Sequence, residues 1–106
     1  LSTVTSIKSN MDPKKIQDSS ENVSGYYIRL DVKDQPGILG EVAAVLGKND
    51  ISVLSISQNV KSTDSASMVF MTHETKEGNI NKSIKTIKGL DKVNKVVSVI
   101  RIENFS

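Results

Sequence analysis

The residues best suited to bind a small charged molecule form one short segment, Asp34-Gln35-Pro36-Gly37-Ile38-Leu39. Pro36 fixes its own φ and lacks an N–H, whereas Gly37 would let the backbone approach a ligand closely. A helix that begins here would offer unpaired N–H groups and its positive dipole end to the carboxylate of an amino acid. Asp34 could accept a charged hydrogen bond from the α-ammonium group. An ordinary strand-to-helix turn, in which Asp34 only caps the helix, would explain the same residues.

Little in the sequence supports enzymatic chemistry. The chain has one histidine, His73, and no cysteine, which excludes a disulfide framework, a thiolate metal site and a cysteine nucleophile. No fixed spacing pairs His73 with a serine nucleophile or a metal ligand, and Glu74 would point to the opposite face of a strand. The glycines are isolated, so they match neither a P-loop nor a dinucleotide-binding pattern. We therefore expect no catalytic residue, metal or cofactor in this chain, and a structural role for His73.

The charge balance argues against nucleic-acid binding. The net charge is +2, from 14 basic and 12 acidic side chains. A local lysine run is interrupted by Ile84, Ile87 and Leu90, which is typical of the solvated side of an amphipathic helix. The run consists of Lys82, Lys85, Lys88, Lys92 and Lys95. No apolar run approaches the ~20 residues of a membrane span, and the start lacks the pattern of a signal peptide. We expect a cytoplasmic protein without nucleic-acid or membrane partners.

The spacing of apolar residues predicts a strand, a helix and a second strand. Apolar residues alternate with polar ones over 26–33, which indicates a half-buried strand. Helical spacing follows over 38–46, and Asn49-Asp50 would end this helix because asparagine tolerates the left-handed conformation. The next strand, over 51–60, changes phase at Val53-Leu54, where we predict a bulge.

The remaining elements complete a βαββαβ order. A third strand over 66–73 is apolar on both sides and should be central. A polar loop over 76–79 leads to a helix that carries Ile80, Ile84 and Ile87 and closes near Gly89, and a last strand covers 93–102. Right-handed crossovers then predict an α+β, ferredoxin-like fold: a four-stranded antiparallel sheet with two helices on one face. Apolar residues on the uncovered face would favour a partner.

Other functions of this fold require residues that are absent here. An acylphosphatase-like site would need an arginine in the loop after the first strand. RNA-binding modules stack bases on exposed aromatic side chains of the central strands. Phe70 lies between Val69 and Met71 without basic neighbours, so we predict that it packs in the core.

The first part of the chain differs in composition from the rest. Residues 1–24 are rich in serine and poor in large apolar side chains, so they could not bury enough surface to offset the entropy cost of ordering. We predict a partly disordered linker over 1–24, whose first residues could end an upstream catalytic domain, and a folded domain over 25–106. So small a domain has a narrow stability margin and would gain from self-association.

The run from Tyr26 to Glu103 resembles an ACT domain, the amino-acid-sensing module attached to many enzymes of amino-acid metabolism. The matching segments are 34–39, 41–46 and Asn49-Asp50-Ile51-Ser52-Val53. The chain also looks like the C-terminal regulatory region of bacterial homoserine dehydrogenases. That similarity is carried by Tyr26-Tyr27-Ile28-Arg29-Leu30, Ile56-Ser57-Gln58, Thr72-His73-Glu74 and Ser98-Val99-Ile100-Arg101.

The resemblance implies a function for the domain and for a larger enzyme. The complete enzyme would reduce aspartate semialdehyde to homoserine with NAD(P)H, and this region would sense an end product, usually L-threonine, for feedback control of threonine and methionine biosynthesis. Such domains commonly form homodimers side by side, with the ligand between the first loop of one copy and the other copy. The effector-binding residues that the resemblance implies are Asp34, Gln35, Gly37, Ile38, Ile51, Ser52 and Gln58.

Two of these positions depart from the family pattern. Amino-acid-binding members often have asparagine where this chain has Asp34 and Ser52. Asp34 lacks an amide donor and adds a charge, and Ser52 reaches less far. A second hypothesis therefore stays open, in which the domain holds the subunits of the enzyme together and binds no ligand.

Overall fold

The structure, a computed structural model, describes residues 23–102. The predicted linker over 1–24 lies outside these residues, except for Val23 and Ser24, which belong to the first strand. The elements are β1 (Val23–Lys33), α1 (Ile38–Lys48), β2 (Val53–Val60), β3 (Ser65–Thr72), β4 (Thr75–Lys76), α2 (Glu77–Lys88) and β5 (Val93–Ile102).

The strands form one antiparallel sheet with β1 in its middle. β1 pairs with β3 on one side and with β5 on the other, and β2 pairs with the far side of β3. Because β1 and β2 are both antiparallel to β3, they run in the same direction. The short β4 pairs with Val23 and Ser24 at the start of β1. The predicted ferredoxin-like α+β fold is confirmed, with β4 as a fifth strand that is too short to show a periodicity in the sequence.

The core lies between one face of the sheet and both helices. Alternate residues of β1 point to this face, and the registers Ile28↔Phe70 and Leu30↔Met68 place side chains of β3 beside them. Each helix contributes one apolar stripe, because residues three to four apart share a face. The buried helix residues that join this cluster are Ile38, Val42, Leu46, Ile80 and Ile87.

The connection between α1 and β2 confirms one prediction and corrects another. The register between β2 and β3 shifts between Val53 and Ser55, where the bulge was predicted. The left-handed residue after α1 is Asp50, with φ of 62°, whereas Asn49 has φ of −102°. The side chain of Asn49 explains its conformation, since its Nδ2 donates to Val45 O and to Ser83 Oγ, both at 3.0 Å. Asn49 therefore joins the end of α1 to α2 instead of forming a left-handed turn.

Two predictions about polar segments in the second half are wrong. The segment 76–79 is not a loop, since Lys76 ends β4 and Glu77 begins α2. A carboxylate in the first turn is favourable there because it faces the positive end of the helix dipole. Lys92 and Lys95 do not lie on the solvated side of a helix, because Lys92 lies in the turn before β5 and Lys95 lies within β5.

Tyr26 is a core residue whose hydroxyl has no partner among the described residues. Its side chain is 4 % exposed, and the Oη atom makes no hydrogen bond. Burial raises the pKa of Tyr26, the negative charge of Glu77 raises it further, and Arg101 partly opposes both. The neutral hydroxyl is therefore favoured in the folded chain.

Replacement of Tyr26 by phenylalanine should reduce the loss of folding stability that occurs as the pH becomes alkaline. A tyrosine in the unfolded chain ionises near its ordinary pKa of 10.0, whereas folded Tyr26 ionises above it, so stability falls as pH rises through this range. Tyr26→Phe removes that loss and, at neutral pH, should be neutral or stabilising by about 1 kcal/mol, because an unsatisfied buried hydroxyl is removed. Urea unfolding between about pH 8 and about pH 11 measures both effects. Tyr27→Phe is the control, and an equally steep alkaline loss in Tyr26→Phe and wild type would contradict the prediction.

Candidate functional site

Residues 34–37 form a turn that the backbone anchors between β1 and α1. Asp34 N donates to Asp64 O at 3.0 Å, which joins the turn to the hairpin between β2 and β3. Gln35 N donates to Lys33 O at 2.9 Å and keeps the turn tight. The side chains of Asp34 and Gln35 are exposed. The turn thus combines a fixed backbone with side chains that solvent can reach.

Gly37 is the residue on which the conformation of this turn depends. It precedes the first residue of α1 with φ of 89° and ψ of −11°, in the left-handed region that favours glycine. No side chain of the described residues caps the first turn of α1, so the alternative in which Asp34 serves as the cap is not observed. Glu41 N donates to Gly37 O at 2.9 Å and Ile38 N donates to Gln35 O at 3.3 Å, which leaves the N–H groups of Leu39 and Gly40 at the open end of the helix. Such an end suits an anionic group.

A charged pair that we did not predict lies over the same turn. Lys92 Nζ donates to Glu41 Oε2 at 2.9 Å and to Pro36 O at 3.2 Å. Its ammonium lies 3.6 Å from the position that a Cβ atom would take on Gly37. Lys92 and Pro36 are 56 positions apart, and no sequence pattern links them. Lys92 could be found only from the fold.

The other predicted site residues occupy two different environments. Ile38 and Ile51 are each 3 % exposed and belong to the core, so their side chains do not face a ligand site, unlike the prediction. Ser52 and Gln58 are exposed, the first just before β2 and the second within it. Ser52 O accepts a hydrogen bond from His73 N at 2.9 Å, which joins the start of β2 to the end of β3.

One copy of the domain does not bring all of these residues together. The turn at 34–37 follows the end of β1, whereas Ser52 precedes the start of β2, which runs parallel to β1. The two positions therefore lie at opposite ends of the sheet. Helix α1 spans its 11 residues between them, a length of about 16 Å. A ligand that contacts both positions would need a second copy.

Strand β2 offers an edge to such a copy. It pairs with β3 only, so its other edge has no strand partner among the described residues. Ile56 and Val60 are in register with the buried residues Phe70 and Ala66 but are 42 % and 68 % exposed. Leu54, at the bulge, is 58 % exposed. An apolar edge strand of this kind favours association with another chain.

The described residues give little support to metal binding, membrane spanning or RNA binding. They contain no group of three or more side chains that could hold a metal ion. Among them, neither helix is long and apolar enough to cross a membrane. Phe70 is fully buried, as predicted, and so cannot stack on a base. His73 is exposed at the end of β3.

Comparisons with known proteins agree with this geometry. The family model of the ACT domain matches residues 26–92. Homoserine dehydrogenase of Neisseria gonorrhoeae is 38 % identical over 86 residues, which cover 80 % of this chain and 20 % of that protein. Homoserine dehydrogenase of Corynebacterium glutamicum is 31 % identical over 88 residues, which cover 83 % of this chain and 20 % of that protein. The chain thus spans about one fifth of the length of the curated relatives it matches.

Solved structures show the same relationship. A homoserine dehydrogenase from Thiobacillus denitrificans superposes with a TM-score of 0.73 and 28 % identity, over 88 % of this chain and 22 % of that one. The ACT domain from the GTP pyrophosphokinase of Chlorobium tepidum superposes with a TM-score of 0.58 and 17 % identity, over 76 % of this chain and 100 % of that one, which supports the fold alone. Since the family model covers most of the described domain, from Tyr26 in β1 to Lys92 in the turn before β5, the chain belongs to the ACT domain family.

Proposed function

We propose that this chain is the regulatory domain of a homoserine dehydrogenase and that it binds a small amino acid as a feedback effector. L-threonine is the leading candidate for this effector. The observation that carries the proposal is the exposed turn at Gly37, where a helix begins without a side-chain cap. The full protein would be the NAD(P)-dependent oxidoreductase that converts aspartate semialdehyde to homoserine. Its cofactor would bind in a part of the protein beyond this chain.

The proposed site recognises both charges of an amino acid. The effector carboxylate would accept hydrogen bonds from N–H groups at the start of α1, where the helix dipole is also favourable. The effector ammonium would donate to the carboxylate of Asp34, which is exposed beside this turn. Asp34 therefore favours a zwitterion over a simple anion. A negative side chain at this position would repel an anionic ligand that carries no positive charge.

A second copy of the chain would complete the site. Two copies that pair antiparallel through their β2 edges would bury Ile56 and Val60 of both. They would also place the end of the sheet that carries Ser52 in one copy near the end that carries the Gly37 turn in the other. Ser52 of the second copy would then contribute a polar group across the interface, and Gln58 would contribute from the copy that carries the turn, because both lie at the same end of its sheet. In one copy, Ser52 and the turn at Gly37 lie at opposite ends of the sheet, which supports a site shared between two copies.

A thermal-melt screen of the 106-residue chain against the twenty amino acids tests this function. L-threonine at about 100 times its Kd should add about 2.7 kcal/mol of stability, which raises Tm by about 10 °C in a domain of this size. D-threonine should have no such effect. Asp34→Ala should lose the rise, whereas Glu77→Ala, in the first turn of α2 and away from the turn at Gly37, should keep it. A chain that is dimeric but whose Tm responds to none of the amino acids would refute the sensing function.

The second candidate function is subunit association without a ligand. The apolar edge of β2 favours it, since an interface needs no polar pocket. The double variant Asp34→Ala with Ser52→Ala separates the two functions. If the domain only associates, neither the dimer nor the response to amino acids changes in this variant, because there is no response to lose.

A further inference from the structure

Lys92 contacts the turn at 34–37 from the opposite half of the chain. Its side chain is 28 % exposed and bonds both to the Pro36 carbonyl, within the turn, and to Glu41, in the first turn of α1. Its own carbonyl accepts a hydrogen bond from Lys33 N at 2.8 Å, at the end of β1. One residue thus contacts the chain before, within and after the turn.

We propose that Lys92 is a positioning residue of the effector site, which holds the turn at Gly37 in the conformation that binds the ligand. This inference rests on the proposed amino-acid site at that turn. The site is then built from two connections of the fold: the one between β1 and α1, and the one between α2 and β5.

The need for such a residue follows from the conformation of the turn. Gly37 is the residue with the most backbone freedom, and a left-handed φ at this position is only one of the states available to it. No side chain of the described residues caps the helix that follows, so the usual means of fixing a helix start is missing. The bond from Lys92 Nζ to Pro36 O restrains the carbonyl two residues before α1. Preorganisation of this kind improves affinity because less freedom is lost on binding.

The ammonium of Lys92 also favours a carboxylate at the turn. It lies over Gly37, and Glu41 holds it there through an ion pair that is partly shielded from solvent. An ammonium has three donor hydrogens, and the two bonds to Pro36 O and Glu41 Oε2 use two of them. The third can reach a ligand oxygen or water. Lys92 therefore complements the negative Asp34 on the same turn.

The test compares Lys92→Met with the control Lys88→Met in the 106-residue chain. Both variants exchange a lysine for a flexible side chain of similar length, but Lys88 is exposed in the last turn of α2. Calorimetry with L-threonine should give a Kd at least about tenfold higher for Lys92→Met and unchanged for Lys88→Met. Lys92→Arg should recover part of the affinity, since guanidinium donors can bond to a carbonyl and a carboxylate together.

Nuclear magnetic resonance relaxation tests the same inference without a ligand. In Lys92→Met the backbone order parameter of Gly37 should fall from about 0.85 toward about 0.6, while that of Ile51 stays high. In a chain that is still folded, a general loss of stability would not lower the order parameter of this one turn selectively. If wild type binds no amino acid, the proposed function fails, and the role of Lys92 in effector binding fails with it; a reduced order parameter would then show only that Lys92 restrains the turn. An unchanged order parameter, or a reduced one with the wild-type Kd, would overturn the inference.

Discussion

Replacement of Phe70 by alanine should lower the free energy of unfolding by about 3–5 kcal/mol. Phe70 is fully buried in the middle of β3, between Ile28 of β1 and Ile56 of β2. Its loss removes the largest fully buried side chain of the described domain and leaves a cavity that the rigid sheet cannot close. Because domains of this size have stabilities near the lower end of about 5–15 kcal/mol, much of the variant should be unfolded at physiological temperature.

Urea unfolding followed by circular dichroism measures this loss, with Ile100→Ala as the control. Ile100 is 52 % exposed on the face of the sheet away from the helices, so its truncation should cost well under about 1 kcal/mol. Similar losses in the two variants would show that the core does not depend on Phe70. The same measurement bears on RNA binding, since a side chain on which the fold depends is not available to stack on a base.

The contrast between Phe70 and Lys92 shows which contacts a sequence can predict. Strands β1 and β3 follow from alternation or from a continuous apolar run, because each residue's face is set by its neighbours in the chain. Right-handed crossovers then fix the sheet order, so the burial of Phe70 follows from local patterns. Lys92 has no such pattern, since its partner Pro36 is brought near only when α2 and β5 have packed. The local sequence around Lys92 would be the same whether its side chain faced solvent or held a turn.

Errors at element ends have a similar origin. Asparagine at a helix end usually favours a left-handed turn, but the side chain of Asn49 bonds to Ser83, 34 positions later. That tertiary bond moves the left-handed conformation to Asp50. Likewise, pairing with the start of β1 makes Lys76 part of a strand, although its neighbours are polar. In both cases a partner distant in sequence overrides a local preference.

Only part of the candidate site could be predicted from local sequence patterns. The turn that contains Asp34 and Gly37 could be predicted, because proline and glycine determine the backbone locally. Ser52 and Gln58 were implied only by the resemblance to a family, and in one copy Ser52 lies at the opposite end of the sheet from the turn. No pattern within a single chain can indicate residues that meet only across two chains. The interface is therefore the point on which the proposed site depends most.

Ile56→Lys should separate the proposed dimer. The middle of β2 lies at Ile56, so an antiparallel two-fold pairing of β2 edges would bring this residue close to its own copy near the axis. The substitution would put two like charges into an apolar contact, and each interface would carry it twice. We expect the Kd of the dimer to rise at least about 100-fold, which corresponds to about 2.7 kcal/mol. Sedimentation equilibrium over a range of concentrations measures this change.

Ile100→Lys is the matched control, because Ile100 is a similarly exposed isoleucine on β5, at the other side of the sheet. It should leave the dimer intact. A dimer that survives Ile56→Lys unchanged would show that the β2 edge is not the interface. The response to L-threonine should be lost together with the dimer, since Ser52 of the second copy no longer reaches the turn at Gly37. A monomeric variant with the full response would instead place the whole effector site within one copy, with Asp34, Gly37 and Lys92 as its residues.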